Sequence, residues 1–176
     1  ALKTYRYNSL PPNDTAGAEK LIREILGKAG KNITIRPPFY CDYGKNIEIG
    51  DNFFANFNTV ILDVGKVKIG NNVMFAPNVS VYTAGHPIHP ASRNSGYEYG
   101  IAVIIGDNVW IGGNAVINPG VTIGNNCVIG AGSVVTKNIP DNSIAVGNPA
   151  RVIRKITDDD RRYYFKNLVF DVDDYK

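Results

Sequence analysis

Aliphatic residues recur every six positions through the second half of the chain. Ile105, Ile111, Ile117, Ile123, Ile129 and Val135 keep this spacing without a break. A mostly small residue follows each one (Gly106, Gly112, Asn118, Gly124, Gly130, Thr136). Four positions after each aliphatic stands another small or apolar residue (Val109, Ala115, Val121, Cys127, Ser133, Ile139). The register continues upstream through Ile49, Ala55 and Ile61 and through Ile69, Phe75 and Val81, with a weaker unit at Ile35 and Cys41. Ile49 and Ile69 are 20 residues apart, and Ile69 and Ile105 are 36 apart. Three windows therefore make a unit of 18, interrupted by two extra residues near 64–68 and by eighteen more near 85–102.

Six residues per side and three sides per turn describe a triangular solenoid. Each side is a short strand, and the aliphatic and the residue four later point inward. Such a side buries little alone. Stacked coils about 4.8 Å apart pair their backbone groups and share one core. Amphipathic helices do not explain the pattern, because six is not a multiple of 3.6 and Gly-Asn and Gly-Asp pairs would break each helix. The flanks read differently. Residues 15–29 carry Ala18, Leu21, Ile22, Ile25, Leu26 and Ala29 at helical spacing. Asp14 and Gly30 stand where caps belong. After Ile156 an acidic run, Asp158 to Asp160, reads as a solvated turn or helix start, and Tyr163, Tyr164 and Phe165 read as packing. The expected layout is a helical segment over 1–30, a β-helix domain over 31–156 with an inserted loop over 85–102, and an extension over 157–176. The first residue is Ala rather than Met, which leaves open whether an N-terminal piece is missing.

Composition narrows the class. The chain has 176 residues, 44% of them hydrophobic and 20% charged, which suits a folded domain rather than a disordered one. A net charge of +3 without a basic motif does not point to nucleic acid. No apolar run approaches the ~18–20 residues that span a membrane. Two cysteines, Cys41 and Cys127, make no disulfide framework and suggest a cytoplasmic chain with reduced thiols.

Chemistry is sought where the repeat breaks. The long insertion holds both histidines, His86 and His89, and imidazole is a base near neutral pH. A surface-loop histidine without a role is the bland alternative. Glu98 is the nearest acid to His86 within the insertion and could orient the ring. Asn56 and Asn58 interrupt the aliphatic pattern, although Asn at a corner is also an ordinary turn residue. Asp63 precedes the short insertion and reads equally as a turn residue. Trp110 follows an inward Val109, so its ring points outward toward a ligand or subunit face. Lys137, Arg151, Arg154 and Lys155 are either surface charge or a phosphate clamp. Gly130-Ala131-Gly132 lacks the third glycine of a dinucleotide fingerprint.

The windows, with Tyr82-Thr83-Ala84-Gly85-His86-Pro87, Phe54-Ala55-Asn56-Phe57-Asn58 and Gly106-Asp107-Asn108-Val109-Trp110-Ile111-Gly112, resemble the hexapeptide-repeat acetyltransferases. Among these the likeness is nearest to the maltose and galactoside O-acetyltransferases and covers roughly residues 30–156. The resemblance implies a mainly β, left-handed parallel β-helix of about five triangular coils. It implies acetyl transfer from acetyl-CoA to a sugar hydroxyl, with His86 as general base and Asn56 and Glu98 beside it. It implies that Trp110, Gly113, Ala131, Thr136, Lys137, Arg151 and Arg154 bind the acyl donor, with a backbone N–H near Gly113 facing the developing oxyanion. It further implies that Asp63, Asn58 and Arg93 contact the acceptor and that a homotrimer carries its sites between subunits. A zinc-dependent hydratase class shares the fold but needs three histidine ligands, and two are present. No metal is therefore expected. Val64 stands where some galactoside enzymes carry a second Asp, which leaves the acceptor open. Antibiotic hydroxyls, amino sugars and oligosaccharides stay as alternative acceptors, and a non-catalytic β-helix scaffold stays as the alternative class.

Overall fold

A computed structural model describes residues 2–170. The chain winds through three parallel sheets in rotation. Face A stacks Lys28–Ala29, Ile47–Ile49, Val67–Ile69, Val103–Ile105 and Thr122–Ile123. Face B stacks Thr34–Ile35, Phe54–Ala55, Met74–Phe75, Trp110–Ile111, Val128–Ile129 and Ser143–Val146. Face C stacks Phe39–Cys41, Thr59–Leu62, Ser80–Tyr82, Val116–Ile117 and Val134–Val135. Five complete coils result, and a partial sixth begins at the Ile123–Ile139 bridge. The fold is thus the mainly β stacked-coil solenoid that the sixfold spacing predicts.

Register follows the same arithmetic. Ile49 pairs with Ile69, Ile69 with Ile105, and Ile105 with Ile123. All six aliphatics from Ile105 to Val135, and all six residues four positions later, are buried. Burying one such Ile contributes about 1.5–3 kcal/mol. Phe53 and Phe75 pack edge to face in the second and third coils, with centroids 5.1 Å apart. The small residue after the aliphatic has a steric reason. At Gly70 a Cβ would fall 2.8 Å from the Gly106 carbonyl carbon of the next coil, while the Gly70 N–H donates to Ile105 O at 2.9 Å.

The corner between faces A and B carries a polar spine. Asn32, Asn52, Asn72, Asn108, Asn126 and Asn142 all adopt positive φ, a region Asn tolerates. Their amides form a continuous ladder, each Nδ2 donating to the next Oδ1 at 2.9–3.0 Å. Beside it, Asp51, Asn71, Asp107, Asn125 and Asp141 each accept the backbone N–H of the preceding coil at 2.7–2.8 Å. The corner between faces C and A has no such ladder, and both insertions leave the solenoid there.

Two helices close the N-terminal end. Helix α1 (Leu2–Asn8), which the spacing does not announce, places the Asn8 amide against both backbone groups of Phe39, at 3.0 and 2.9 Å. The Tyr7 hydroxyl donates to Ile35 O, and burial pushes its pKa up to about 12. Helix α2 (Thr15–Ile25) starts at Asp14, whose carboxylate accepts the Gly17 N–H. Its end corrects the expected 15–29 helix. Lys28–Ala29 is already a strand of face A, and the Gly30 N–H bonds Ile49 O rather than capping a helix. The backbone there finds a parallel partner in the next coil, and that ladder outcompetes the helical spacing. At the other end Arg151–Lys155 runs antiparallel to Ser143–Val146, followed by a 3-10 turn at Asp158–Arg162 and a hairpin of Tyr163–Phe165 with Leu168–Val169. The expected extension runs on to 176, and residues 171–176 lie outside the described ones. No helix among the described residues is long and apolar enough to cross a membrane.

The spine makes a specific demand at Asn72. Replacing Asn72 by Ala removes two rungs and puts at positive φ a residue that tolerates it less well than Asn, for an expected cost of about 2–3 kcal/mol, whereas Asn72→Gly loses the same rungs at a φ that Gly adopts freely and costs about 1 kcal/mol. Urea unfolding of both variants checks this, and equal destabilisation would mean that the positive φ carries no cost.

Candidate active site

The third coil opens at Thr83 into the long insertion, a flap that returns at Ile101. Its root is a short antiparallel pair, Ala84 opposite Gly100 and Gly85 opposite Tyr99. His86 follows at once. Its Nδ1 lies 3.0 Å from Tyr97 O. A carbonyl oxygen only accepts, so Nδ1 carries the proton and the neutral ring keeps a lone pair on Nε2. Nε2 lies 3.9 Å from Glu98 Oε1. That is too long for a direct hydrogen bond, and both atoms are acceptors, so each can receive a separate hydroxyl donor from the same side.

The rest of the flap braces itself. His89 Nδ1 accepts the Ala91 N–H at 3.2 Å and caps the short helix α3 (Pro90–Asn94). Arg93, expected at the acceptor, donates to Ile88 O at 2.9 Å and so ties the flap tip to α3. Ile88 at that tip is 95% exposed.

Asp63 corrects an expectation. It is fully buried, and its carboxylate accepts the N–H groups of Tyr43 and Asn46 at 2.9 and 3.2 Å. It caps the turn of the coil beneath and does not reach out to an acceptor. Asp42, absent from the expected site, lies near this group. Burial raises its pKa, and the charges of Asp63 and Glu98 raise it further. Its position after Cys41, in register with Ile61 and Val81, is the signal that places it under the flap. Tyr97 escapes sequence reasoning for a different reason: a backbone carbonyl eleven residues from the ring leaves no trace in residue types.

A second group lies at the corner between faces B and C. Asn56 uses Oδ1 to accept the Phe57 N–H at 2.9 Å, which leaves its Nδ2 free to donate elsewhere. Asn58 has positive φ, as do Asn78 and Asn114 at the equivalent places, and so fills a turn position. In the fourth coil Gly113 O accepts the Gly132 N–H at 2.8 Å, while the Gly113 N–H has no acceptor among the described residues. Ala131, one coil on, is likewise open at its N–H. In the third coil that position is Pro77, which has no N–H to offer. Trp110 projects from face B, 51% exposed, in register with Met74 and Val128.

The basic candidates divide. Thr136 and Lys137 are exposed at the corner between faces C and A, two coils beyond His86. Arg151 is exposed on the last strand of face B. Arg154 is engaged by both carboxylate oxygens of Asp160, at 2.8 and 2.7 Å, a pairing that lowers the Asp160 pKa to about 2. Lys155 donates to Asp141 O and Ser143 Oγ.

Within one chain the candidate residues therefore fall into two separate groups. His86, Glu98, Asp42 and Lys137 share one edge of face C, while Asn56, Gly113 and Ala131 share the other. About six extended residues separate the edges, or ~20 Å. Concavities of about 280 and 270 Å³ lie under α1 and α2 at the N-terminal end, and His86 lines neither. Among the described residues no three His, Cys, Asp or Glu side chains group as metal ligands.

Comparison with known proteins gives consistent results. Residues 102–137 match the family model for the bacterial transferase hexapeptide (six repeats). The galactoside O-acetyltransferase of Escherichia coli is 52% identical over 93% of this chain and 80% of its own length. A galactoside acetyltransferase solved in complex with coenzyme A superposes with TM-score 0.95 at 50% identity, covering 97% of this chain and 86% of its own. A maltose O-acetyltransferase from Clostridium difficile superposes with TM-score 0.88 at 55% identity, covering 89% and 83%.

Neither thiol suits covalent catalysis. Burial first, then the Asp63 charge, push Cys41 up to about 12, and Cys127 is raised by burial. At pH 8 the Cys41 thiolate fraction is on the order of 10⁻⁴. Thiol titration of the native protein with a disulfide reagent at pH 8 should therefore be slow at both positions and release two equivalents only after denaturation. Fast native labelling of Cys41 would refute the assignment.

Proposed function

The chain belongs to the hexapeptide-repeat acetyltransferases and is an acyltransferase, and on that premise we propose that it transfers acetyl from acetyl-CoA to a sugar hydroxyl by direct attack. His86 Nε2 takes the proton of the acceptor hydroxyl as its oxygen bonds to the thioester carbonyl carbon. The carbonyl oxygen gains negative charge, which the open Gly113 N–H stabilises. The C–S bond then breaks, and His86 returns the proton to the departing sulfur, giving the acetyl ester and free coenzyme A. The observation that carries this reading is the His86 ring itself, with Nδ1 tied to Tyr97 O at 3.0 Å and Nε2 directed away from that bond at the prism edge. A positioned base of this kind contributes typically about 10²–10⁴-fold.

The acceptor lies near Glu98 and Asp42, which can take its other hydroxyl protons, and the Asn56 amide positions it. Trp110 borders the donor groove, Ala131 and Thr136 face the pantetheine, and Lys137 and Arg151 are placed to meet its phosphates. Arg154 joins them with Asp160 already attached. A base and an oxyanion donor acting on one reacting pair must both lie within about 3 Å of it. The two edges of face C are too far apart for that within one chain. The His86 edge of one copy meets the Gly113 edge of the next, in a homotrimer with three equivalent sites between subunits.

Free-thiol release from acetyl-CoA, measured with maltose, lactose, glucose, glucosamine and a hydroxyl-bearing antibiotic, tests the reaction and ranks the acceptors. His86→Ala should lose about 10²–10⁴-fold in rate. An unchanged rate would reject the base. Co-expression of His86→Ala chains with Asn56→Ala chains tests the shared site. Each variant alone is expected to be nearly inactive, and random mixing in a cyclic trimer restores about a quarter of the sites. No recovery would place both residues in one subunit's site.

A further inference from the structure

The flap carries the proposed base, yet all ten residues 91–100 are exposed, and its tip packs on nothing within the chain. Within one chain, the contacts that tie the flap and its Tyr97–His86 pair to the solenoid lie at the root. We infer that Thr83, Gly65 and Gly100, with the Tyr99 ring laid across Gly85, form a seat that fixes the imidazole relative to the solenoid, and that these are positioning residues for the base. The inference rests on the reading of His86 given above.

Thr83 is the node of this seat. It is fully buried, and every polar group it has is used. Its hydroxyl donates to Leu62 O at 2.6 Å and accepts the Gly65 N–H at 2.8 Å. Its own N–H donates to Leu62 O at 3.0 Å, and its carbonyl accepts the N–H of Ile101, where the flap returns, at 2.8 Å. A single residue thus joins the outgoing strand, the returning strand and the corner of the coil beneath. Asp63 has the equivalent role in the preceding coil, where it caps Tyr43 and Asn46.

The glycines let the strands close on that node. A Cβ at Gly100 would lie 2.6 Å from Gly65 N and 2.9 Å from the Val64 carbonyl carbon. Gly65 comes from the two-residue insertion near 64–68, so the short insertion has a use: it supplies bare backbone for the flap to rest on. A Cβ at Gly85 would lie 2.5 Å from Tyr99 Cζ, so the Tyr99 ring covers the residue just before His86. Between this seat and His86 only Ala84 and Gly85 intervene, and both are paired in the root strands. A displacement at the seat therefore reaches the ring almost undiminished. Relieving the Gly100 overlap requires a shift of about 1 Å, and a misplacement of that size costs about 10²-fold in rate.

The test combines kinetics with a direct view of the ring. Gly100→Ala and Thr83→Val are expected to lower kcat by about 10–100-fold, with KM for acetyl-CoA changed less than about twofold. Thr83→Ser, which keeps the hydroxyl, should recover kcat to within about threefold. The protein has only two histidines, so ¹⁵N-histidine labelling resolves His86. Its Nδ1–H signal should broaden or vanish in Gly100→Ala and Thr83→Val and persist in Thr83→Ser. In a His86→Ala background, Thr83→Val should cause no further loss. Full kcat with an unchanged imidazole signal in either seat variant would overturn the inference, as would an equal loss with and without His86. A wild-type rate for His86→Ala alone would instead defeat the base assignment, and the imidazole signal would still decide whether the seat holds the ring.

Discussion

Everything in this molecule is subordinate to the pairing of peptide groups between successive coils. The sides are only two to four residues long, so no side is a stable strand alone, and each N–H must meet a carbonyl directly above or below it. Such a ladder admits no slip. Extra residues must leave at a corner and return to the same height and phase. The long flap obeys this rule closely: Thr83 and Ile101 are hydrogen-bonded to each other, and Val103–Ile105 then pairs with Val67–Ile69 as though nothing intervened. The inserted segment is exposed and irregular, but its two ends are pinned by the lattice.

The three corners divide the work. The corner between faces A and B carries the Asn ladder and the Asp/Asn caps, and it fixes coil height through side chains in addition to the backbone. With that edge set, the opposite edges are free to vary. At the corner between faces B and C, Gly113 and Ala131 each stand one residue before a positive-φ turn position, and their N–H groups meet no acceptor among the described residues. At the corner between faces C and A, the first two turns are each capped by a buried side chain from the next coil, Asp63 and then Thr83. That arrangement tolerates turns of different length, which is why both insertions occur there. A hexapeptide lattice with one rigid edge and two variable ones thus sorts structure from chemistry.

This sorting explains what could be read from residue types. The aliphatics from Ile105 to Val135 reveal the fold because inward positions in a six-residue side admit few alternatives, and the breaks in the period mark the flap and so His86. The helix end is misjudged because Leu26 and Ala29 suit a helical stripe as well as a coil, and only the partner strand at Ile47–Ile49 decides between them. Asp63 is ambiguous in sequence because a turn acid and a ligand acid look alike. What separates them is the direction of the carboxylate, which here points at the backbone of Tyr43 and Asn46. Arg93 and Arg154 have the right charge for a ligand, and what residue type does not reveal is that Ile88 O and Asp160 already engage them. The role of Thr83 depends on residues 18 and 21 positions away and leaves no local sign.

The choice of a backbone carbonyl to orient His86 has a chemical consequence on the proposed reading. A carboxylate at Nδ1 would add negative charge beside the ring and would itself titrate at low pH. Tyr97 O does neither, so the tautomer follows from flap geometry alone, and the acidic groups nearest to Nε2 are left to the substrate. Those groups are Glu98 and Asp42, both acidic, both positioned to accept from a polyol, and both on the same edge as the base. The complementary requirement, a donor for the oxyanion, is met only on the far edge of face C. A solitary chain would therefore hold a correctly oriented base with nothing to stabilise the charge that its action creates. On the proposed reading catalysis and assembly are one event, and the rigid coil spacing that aligns residues within a chain would also align the two groups between chains.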